Sequence, residues 1–407
     1  MHHRIRPLLG CAVILAALAT GQLDPMAAHG HPGTATSGAV DKAAAKKTKD
    51  VTVCKRAHGA RNHCFAIRVD HTVKGRVRHE TSPVGYGPPA IQQAYELPSA
   101  SRGSGETVAI VDAYDDPNAA HDLAVYRSQY GLTTCTTSNG CFRKVGQAGG
   151  TSYPAADGGW AQEISLDLDM VSATCPRCHV LLVEADSASM ANLGAAEDTA
   201  VKLGADVVSN SFGGPDAGDS SYGRYFHHSG VAITASAGDA GYGASYPASS
   251  KWVTAVGGTS LKRSSAARGF TETAWSDGGS GCSTENTASW QKRTLTGCSG
   301  RAEADVAAVA DPATGVAVYD SDSYQGTSGW LTFGGTSASS PIIAAVYALA
   351  GNTGSVTDAA GLWSHHAALH DVTRGSNGSC PTTRWCVARS GWDGPTGWGT
   401  PDGTAAF

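Results

Sequence analysis

The chain is short of charge: Asp, Glu, Lys and Arg make up 16% of its 407 residues. With abundant Gly, Ser, Thr and Ala, that composition suits a compact exported domain built on tight turns. Beyond residue 28 no apolar run is long enough to span a bilayer, which excludes a transmembrane helix there. No internal repeat is present, so a solenoid or propeller is not expected. Residues 81–407 lack a basic face, holding seventeen Lys or Arg against thirty Asp or Glu. That imbalance argues against a nucleic-acid partner.

Residues 29–80 have the opposite balance, with eleven Lys or Arg, four Asp or Glu and six His. A basic head on an acidic body predicts either intramolecular docking, as a pro-segment or inhibitor, or a solvated spacer. The start of the chain reads as a secretory signal. Arg4 and Arg6 precede the apolar run Leu8–Ala19, and small residues allow cleavage after Ala19 or Ala28. Cys11 lies at the start of that run, not after it, which argues against a lipid-anchored cysteine.

Setting Cys11 aside leaves ten cysteines in close sequential pairs: Cys54/Cys64, Cys135/Cys141, Cys175/Cys178, Cys282/Cys298 and Cys380/Cys386. In an exported chain, neighbour pairing into five local disulfides is the economical expectation. Cys175-Pro176-Arg177-Cys178 also fits a redox or zinc motif, but a second ligand pair is lacking.

Residues 29–50 have the composition of a linker. Val51–Cys54 and Cys64–Val69 alternate like strands and predict a small hairpin clipped by Cys54 and Cys64. Thr81–Pro89, rich in Gly and Pro, marks a boundary. Thereafter strand and helix patterns alternate. Strands are predicted at Thr107–Val111, Val180–Glu184, Asp206–Ser211, Val231–Ser236 and Trp252–Val256. Helices are predicted at His121–Tyr130, Trp160–Ala173 and Met190–Leu203. This alternation implies an α/β fold with a mostly parallel sheet and helices on both faces. The site is then expected beyond the carboxyl ends of the strands.

Four segments carry chemistry. In Phe333-Gly334-Gly335-Thr336-Ser337-Ala338-Ser339-Ser340-Pro341, a glycine turn opens into an apolar helix with Ser337 at the junction. The helix N-terminus favours negative charge, so an oxyanion formed beside Ser337 is assisted; an ordinary N-cap is the simpler alternative. In Trp160–Val171, Ile164, Leu168 and Val171 form a core stripe, and Glu163 and Asp167 sit one turn apart on the neighbouring face. Such a pair either shares a proton and yields a carboxylate base, or is a solvated acidic face. Asp239, in Ala237-Gly238-Asp239-Ala240-Gly241 after a buried strand, is a turn former or, when protonated, a donor to an oxyanion. Asp371 and Asp393 lie on glycine-rich loops near the end of the chain. They either make Asx turns or meet with backbone carbonyls around a hard cation, which oxygen ligation makes Ca²⁺.

In this order, the four segments resemble the sedolisin family of serine-carboxyl peptidases, relatives of the subtilisin fold. The resemblance spans residues 86–407 and includes Tyr86–Tyr95, Ser245–Ser250 and Val256–Thr259. It implies a subtilisin-like three-layer fold and a secreted peptidase acting on peptides or proteins in acid. It implies Ser337 as nucleophile, Glu163 as general base and acid, Asp167 as the residue orienting Glu163, and Asp239 in the oxyanion hole. It further implies one calcium ion held by Asp371, Asp393 and the carbonyls of Val372, Arg389 and Gly391. The expected organisation is a signal peptide at 1–28, a linker and Cys-clipped pro-segment at 29–85, and a monomeric peptidase domain at 86–407, with no membrane contact after signal removal.

Three features depart from the family pattern. The pro-segment is short, the turn Asp112-Ala113-Tyr114-Asp115-Asp116 is unusually acidic, and Arg389 stands where glycine is common. Two competing readings follow. One is a Ser–His–Asp subtilase using Asp112 with His121 or His179, although no His-Gly-Thr-His segment follows the first strand. The other is an inactive secreted peptide-binding protein on the same fold.

Overall fold

The computed structural model describes residues 47–54, 62–73, 76–77 and 80–407. The proposed signal peptide and residues 29–46 of the linker lie outside the described residues. The described residues belong to a single compact unit.

The strands that position the site are, in chain order, β1 (Lys47–Thr52), β2 (His63–Cys64), β3 (Ile67–Val73), β4 (Thr107–Ala113), β5 (Phe142–Gly146), β6 (His179–Ala185), β7 (Val207–Asn210), β8 (Phe212–Pro215), β9 (Ala232–Ser236), β10 (Thr254–Arg263), β11 (Phe270–Ala274), β12 (Val306–Val309), β13 (Val316–Tyr324) and β14 (Thr327–Gly334). The helices are α1 (Ala119–Gln129), α2 (Gly158–Thr174), α3 (Met190–Lys202) and α4 (Thr336–Ala350).

The central eight-stranded sheet runs β11-β10-β9-β7-β4-β6-β5, with β12 also paired to β10. Its pairings are parallel except β11 against β10. Strands such as Val108–Val111 are wholly buried, as continuous apolar runs in a helix-covered parallel sheet should be. This is the expected subtilisin-like α/β architecture.

Helix α2 is more buried than its stripe predicts. Asp157 caps it, accepting from Gly159 N–H at 3.0 Å and Trp160 N–H at 3.1 Å. Every residue from Gly159 to Thr174 is buried, because α2 lies between α4, α1 and β13. Glu163 and Asp167 are therefore core residues, and the solvated acidic face is excluded. Helix α4 is equally enclosed, and its Pro341 leaves the Ser337 carbonyl without the N–H of the fourth residue on.

The leader differs from the predicted hairpin. β1 and β3 do pair antiparallel, from Lys47↔Thr72 to Thr52↔Ile67. The run Cys64–Val69, however, is broken at Phe65–Ala66. Before the break, His63–Cys64 pairs with β8; after it, Ile67 and Arg68 pair with the end of β14. The leader thus adds a strand on either side of the Ser337 turn. Within the described leader, Arg68, 1% exposed, bonds Asp70 of its own strand at 2.7 Å and neutral Gln162 at 2.8 Å.

Candidate active site

The site forms where β4, β7 and β9 end and α4 begins. At its centre Gly335 has φ +93°, a conformation that favours glycine, and turns the chain from β14 into α4. Thr336 N–H is taken by Asp239 Oδ1 at 2.8 Å and Ala338 N–H by the Gly335 carbonyl at 3.0 Å. The Ser337 N–H, in the helix's first turn, has no intrahelical partner. The Ser337 hydroxyl points to the Ser211 carbonyl at 3.2 Å.

Glu163 and Asp167, one turn apart on α2, reach this point from below. Both are 0% exposed, as are Asp112 at the end of β4 and Ser337 itself. Ser211 donates its hydroxyl to Asp167 Oδ1 at 2.9 Å. Glu163 Oε1, Asp167 Oδ2 and both Asp112 oxygens accept from no other donor group, and the Glu163 and Asp167 carboxyls lie close enough to hydrogen-bond each other when one is protonated. Burial drives the Glu163 and Asp167 carboxyls well above the ordinary range, and neighbouring Asp112 pushes both further up. The Ser337 hydroxyl and the Ala66 N–H pull Glu163 back down. Burial, then Glu184 on the adjacent strand, raises Asp112 well above the usual range. Glu163, Asp167 and Asp112, crowded together with no cation paired to them, cannot all ionise, so protons must be held among them; Glu184 alone is paired, with Lys144 at 3.0 Å.

Asp239 follows β9. Its Oδ1 accepts from Thr336 N–H and Thr336 Oγ1, both at 2.8 Å, while buried Oδ2 has no partner. Burial lifts its pKa to about 7, against the opposing pull of the Thr336 hydrogen bonds. Below that value Oδ2 carries a proton and becomes a donor aimed at the space in front of Ser337.

The leader fills that space. Phe65 N–H lies 3.2 Å from the Ser211 carbonyl and 3.1 Å from Ser337 Oγ. Ala66 N–H donates to Glu163 Oε2 at 3.0 Å. The Phe65 carbonyl oxygen and Asp239 Oδ2 crowd the position that a side chain at Gly335 would take, 1.8 and 2.6 Å from its Cβ. The Phe65 ring is 7% exposed and lies against Gly213, where a Cβ would fall 2.7 Å from it.

The two histidines of the competing triad lie elsewhere. His121 is exposed and bonded to Asp122 at 2.7 Å. His179 is exposed at the start of β6, the far end of the sheet from Ser337. Asp112 instead faces the carboxylates of α2. The sequence alone offers Asp112 only as the acid of the competing triad, and it does not reveal Ser211 as the hydroxyl bonding Asp167. The signal for both was available, since each sits at the carboxyl end of a strand adjoining the site.

The C-terminal loops bring Asp371 and Asp393 close enough that Asp371 raises the Asp393 pKa. Burial is the larger cause, and the pKa stands at about 7. Asp393 is 0% exposed, and its oxygens accept from Arg389 N–H at 2.8 Å and Thr396 N–H at 3.0 Å. Asp371 accepts from Gly391 N–H at 2.9 Å. Among the described residues neither acid forms an ion pair, and no donor reaches the carbonyls of Val372, Arg389 or Gly391. An oxygen-only set with neighbouring acids and idle carbonyls fits a hard cation. All five expected disulfides are formed, Cys175–Cys178 included, so that pair is neither a zinc site nor a free dithiol.

A parallel α/β sheet with a serine-led helix at its carboxyl edge defines a protein of subtilisin-like fold. The subtilase family model matches residues 148–399. The chain is 31% identical over 366 residues to kumamolisin of Bacillus sp. (strain MN-32), covering 79% of this chain and 63% of that protein. It is 28% identical over 367 residues to sedolisin of Pseudomonas sp. (strain 101), covering 78% and 60%. It thus spans less than two thirds of the length of these curated relatives. Among solved structures, Pseudomonas sedolisin, a serine-carboxyl proteinase complexed with two molecules of pseudo-iodotyrostatin, aligns with a TM-score of 0.63 at 26% identity, covering 79% of this chain and 96% of that one. The chain belongs to the subtilase family and, within it, to the sedolisins.

Proposed function

We propose that this chain is a secreted serine-carboxyl peptidase that cleaves peptides or proteins in acid. The observation that carries the reading is the convergence on Ser337 of Glu163, Asp167 and the unpartnered Oδ2 of Asp239, with a carboxylate, Glu163, bonded to the serine hydroxyl. Glu163 takes the Ser337 proton as the hydroxyl attacks a peptide carbonyl, then passes it to the leaving amine. Asp167, fixed by Ser211, orients Glu163 and accepts part of the shared proton. Asp239, protonated below pH about 7, donates to the oxyanion together with the Ser337 N–H. Asp239 sets the upper bound of the working range, since it must stay protonated, below about pH 7; donors such as the Ser337 hydroxyl, which pull the Glu163 carboxyl down against its burial, supply the ionised base.

Asp371, Asp393 and the carbonyls of Val372, Arg389 and Gly391 would hold one calcium ion. When bound, the ion supplies charge neutralisation that ties the two C-terminal loops together.

The reading is tested with an acylating or aldehyde peptide probe at acid pH. A stoichiometric adduct on Ser337, lost in Ser337→Ala, supports the peptidase. No adduct at any pH favours a peptide-binding protein on the same fold.

A further inference from the structure

Away from Ser337, three side chains from distant parts of the chain meet at one nitrogen. His370 Nε2 lies 3.1 Å from Glu96 Oε2 and 3.7 Å from Asp402 Oδ1. One ligand atom from each of the three lies within 4.8 Å of the others. The His370 side chain is 26% exposed and the two acids 48% and 49%, so their meeting point is open to water on one side. None of the three belongs to the peptidase site or to the proposed calcium ligands.

The framework beneath them is fixed. His370 ends the two-residue strand Leu369–His370, which pairs antiparallel with Thr400–Pro401 and sets His370 opposite Thr400, two residues before Asp402. Gly403 N–H, just past Asp402, donates at 2.9 Å to the carbonyl of Tyr95, just before Glu96. The wholly buried Glu272 carboxylate on β11 accepts from the Tyr95 hydroxyl at 3.0 Å and the Thr400 hydroxyl at 2.6 Å. Glu96 itself stands at φ +52°, a conformation uncommon for any residue but glycine. Hydrogen bonds that spare the three side chains thus set the positions of all three backbones.

An ion pair uses this arrangement poorly. Nε2 carries at most one hydrogen, which serves one acceptor well, and 3.7 Å is too long for a hydrogen bond to the second. A cation in the same space takes all three groups at once. Ligand arms of about 2.0–2.2 Å around a tetrahedral zinc ion put the ligand atoms about 3.3–3.6 Å apart. The two N···O separations fall on either side of that range. One imidazole nitrogen with two carboxylates suits a borderline divalent ion, whereas Ca²⁺ takes oxygen ligands. We propose that Glu96, His370 and Asp402 form a transition-metal site, separate from the calcium loops, that binds one Zn²⁺ with water in the fourth position. The ion ties the turn after the short helix Pro88–Ala94 to the ribbon of Leu369–His370 and Thr400–Pro401, which leads directly into Asp371.

The full chain is stripped with EDTA, dialysed into excess Ca²⁺ at pH 7.5 so that zinc does not compete for the calcium loops, and titrated with Zn²⁺ by calorimetry. It is compared with His370→Ala, Asp402→Asn, Asp402→His and Asp371→Asn. Other histidines of the chain add background, so the readout is the difference from wild type. Wild type should bind one more Zn²⁺ per chain than His370→Ala, with a micromolar Kd, and Asp402→Asn should weaken that site by at least about tenfold. Asp402→His, which supplies a second imidazole, should bind at least as tightly as wild type, and Asp371→Asn should leave the site unchanged. Co²⁺ in place of Zn²⁺ should give the visible absorption of a four-coordinate ion, absent from His370→Ala. At a hundredfold excess over Kd, Zn²⁺ should raise the thermal midpoint of wild type by a few degrees and leave that of His370→Ala in place. If His370→Ala does not fold, Asp402→Asn, an exposed substitution, carries the same comparison. Equal zinc stoichiometry and affinity in wild type and the folded variants overturns the proposal. Loss of the zinc site in Asp371→Asn places the ion in the calcium loops and overturns it too, as does an Asp402→His variant that binds no better than Asp402→Asn. Every readout is of binding or stability, so the outcome is independent of the peptidase reading.

Discussion

Glu163 and Asp305 are both 0% exposed, yet their surroundings are opposite. Asp305 is saturated with donors: Ala255 N–H at 2.8 Å, Trp363 Nε1 at 2.7 Å and the Arg301 guanidinium. Glu163 keeps one oxygen that accepts from no other donor group, as do Asp167 and Asp239, and Asp112 keeps two. Donors around Asp305 favour its anion, whereas the acids around Ser337 keep lone pairs that a proton or a substrate must satisfy. Idle lone pairs alone do not mark a reaction, since Asp169 and Glu303 also keep an unpartnered oxygen. What sets the Ser337 acids apart is that they gather around one serine.

The sharpest way to break the comparison is Glu163→Gln. The amide cannot accept the serine proton, so peptide hydrolysis should fall by about 10³-fold, while thermal unfolding shows stability unchanged or raised. Arg301→Met should do the reverse. It strands a buried Asp305, costs about 3–5 kcal/mol of stability in denaturant titration, and leaves kcat of the remaining folded protein near the wild-type value. If both substitutions cost stability alike, the distinction between the two sites fails.

Smaller effects sharpen it. Asp239→Asn supplies an oxyanion donor that does not titrate. Activity at pH 4 should fall by no more than about tenfold, and the decline that wild type shows towards pH 7 should flatten. A decline of unchanged steepness would mean that another group sets that limb. Stability should follow the same proton inventory. Asp239 and Asp320 stand at about 7 and Glu184 at about 8, in each case chiefly through burial, and all lie above their unfolded values near 4. The folded state therefore holds more protons between pH 4 and 8. The stabilisation is fully present in the acid and is lost as pH rises through that window. A thermal midpoint several degrees higher at pH 4 than at pH 8 is expected by calorimetry, and a rising midpoint would contradict it.

Much of this contrast was legible in the residues. Alternating strands and helices predicted the parallel sheet, since continuous apolar runs such as Val108–Val111 belong in strands covered on both faces. The spacing of Glu163 and Asp167 placed them together. Periodicity alone left them on a solvated face, because the burial of α2 on all sides depends on α1, α4 and β13, which are distant in sequence. Asp112 showed a strand-end aspartate but not its neighbours. The break at Phe65–Ala66 left no local trace: Cys64–Val69 has the composition of one uninterrupted strand, and only the approach of the Ser337 turn divides it. The charge difference between leader and body suggests docking but not its form: strand pairing and burial hold the described residues, with Arg68 bonding Asp70 of its own strand and Gln162.

The central claim is that Ser337 is activated by a carboxylate instead of a histidine. It is tested most directly by the pH–rate profile of peptide hydrolysis for Glu163→Gln against Glu163. The account predicts an acid-centred profile with Glu163 and its near-complete loss across pH 3–8 with Gln. Full activity in the Gln variant, at any pH in that range, would contradict it.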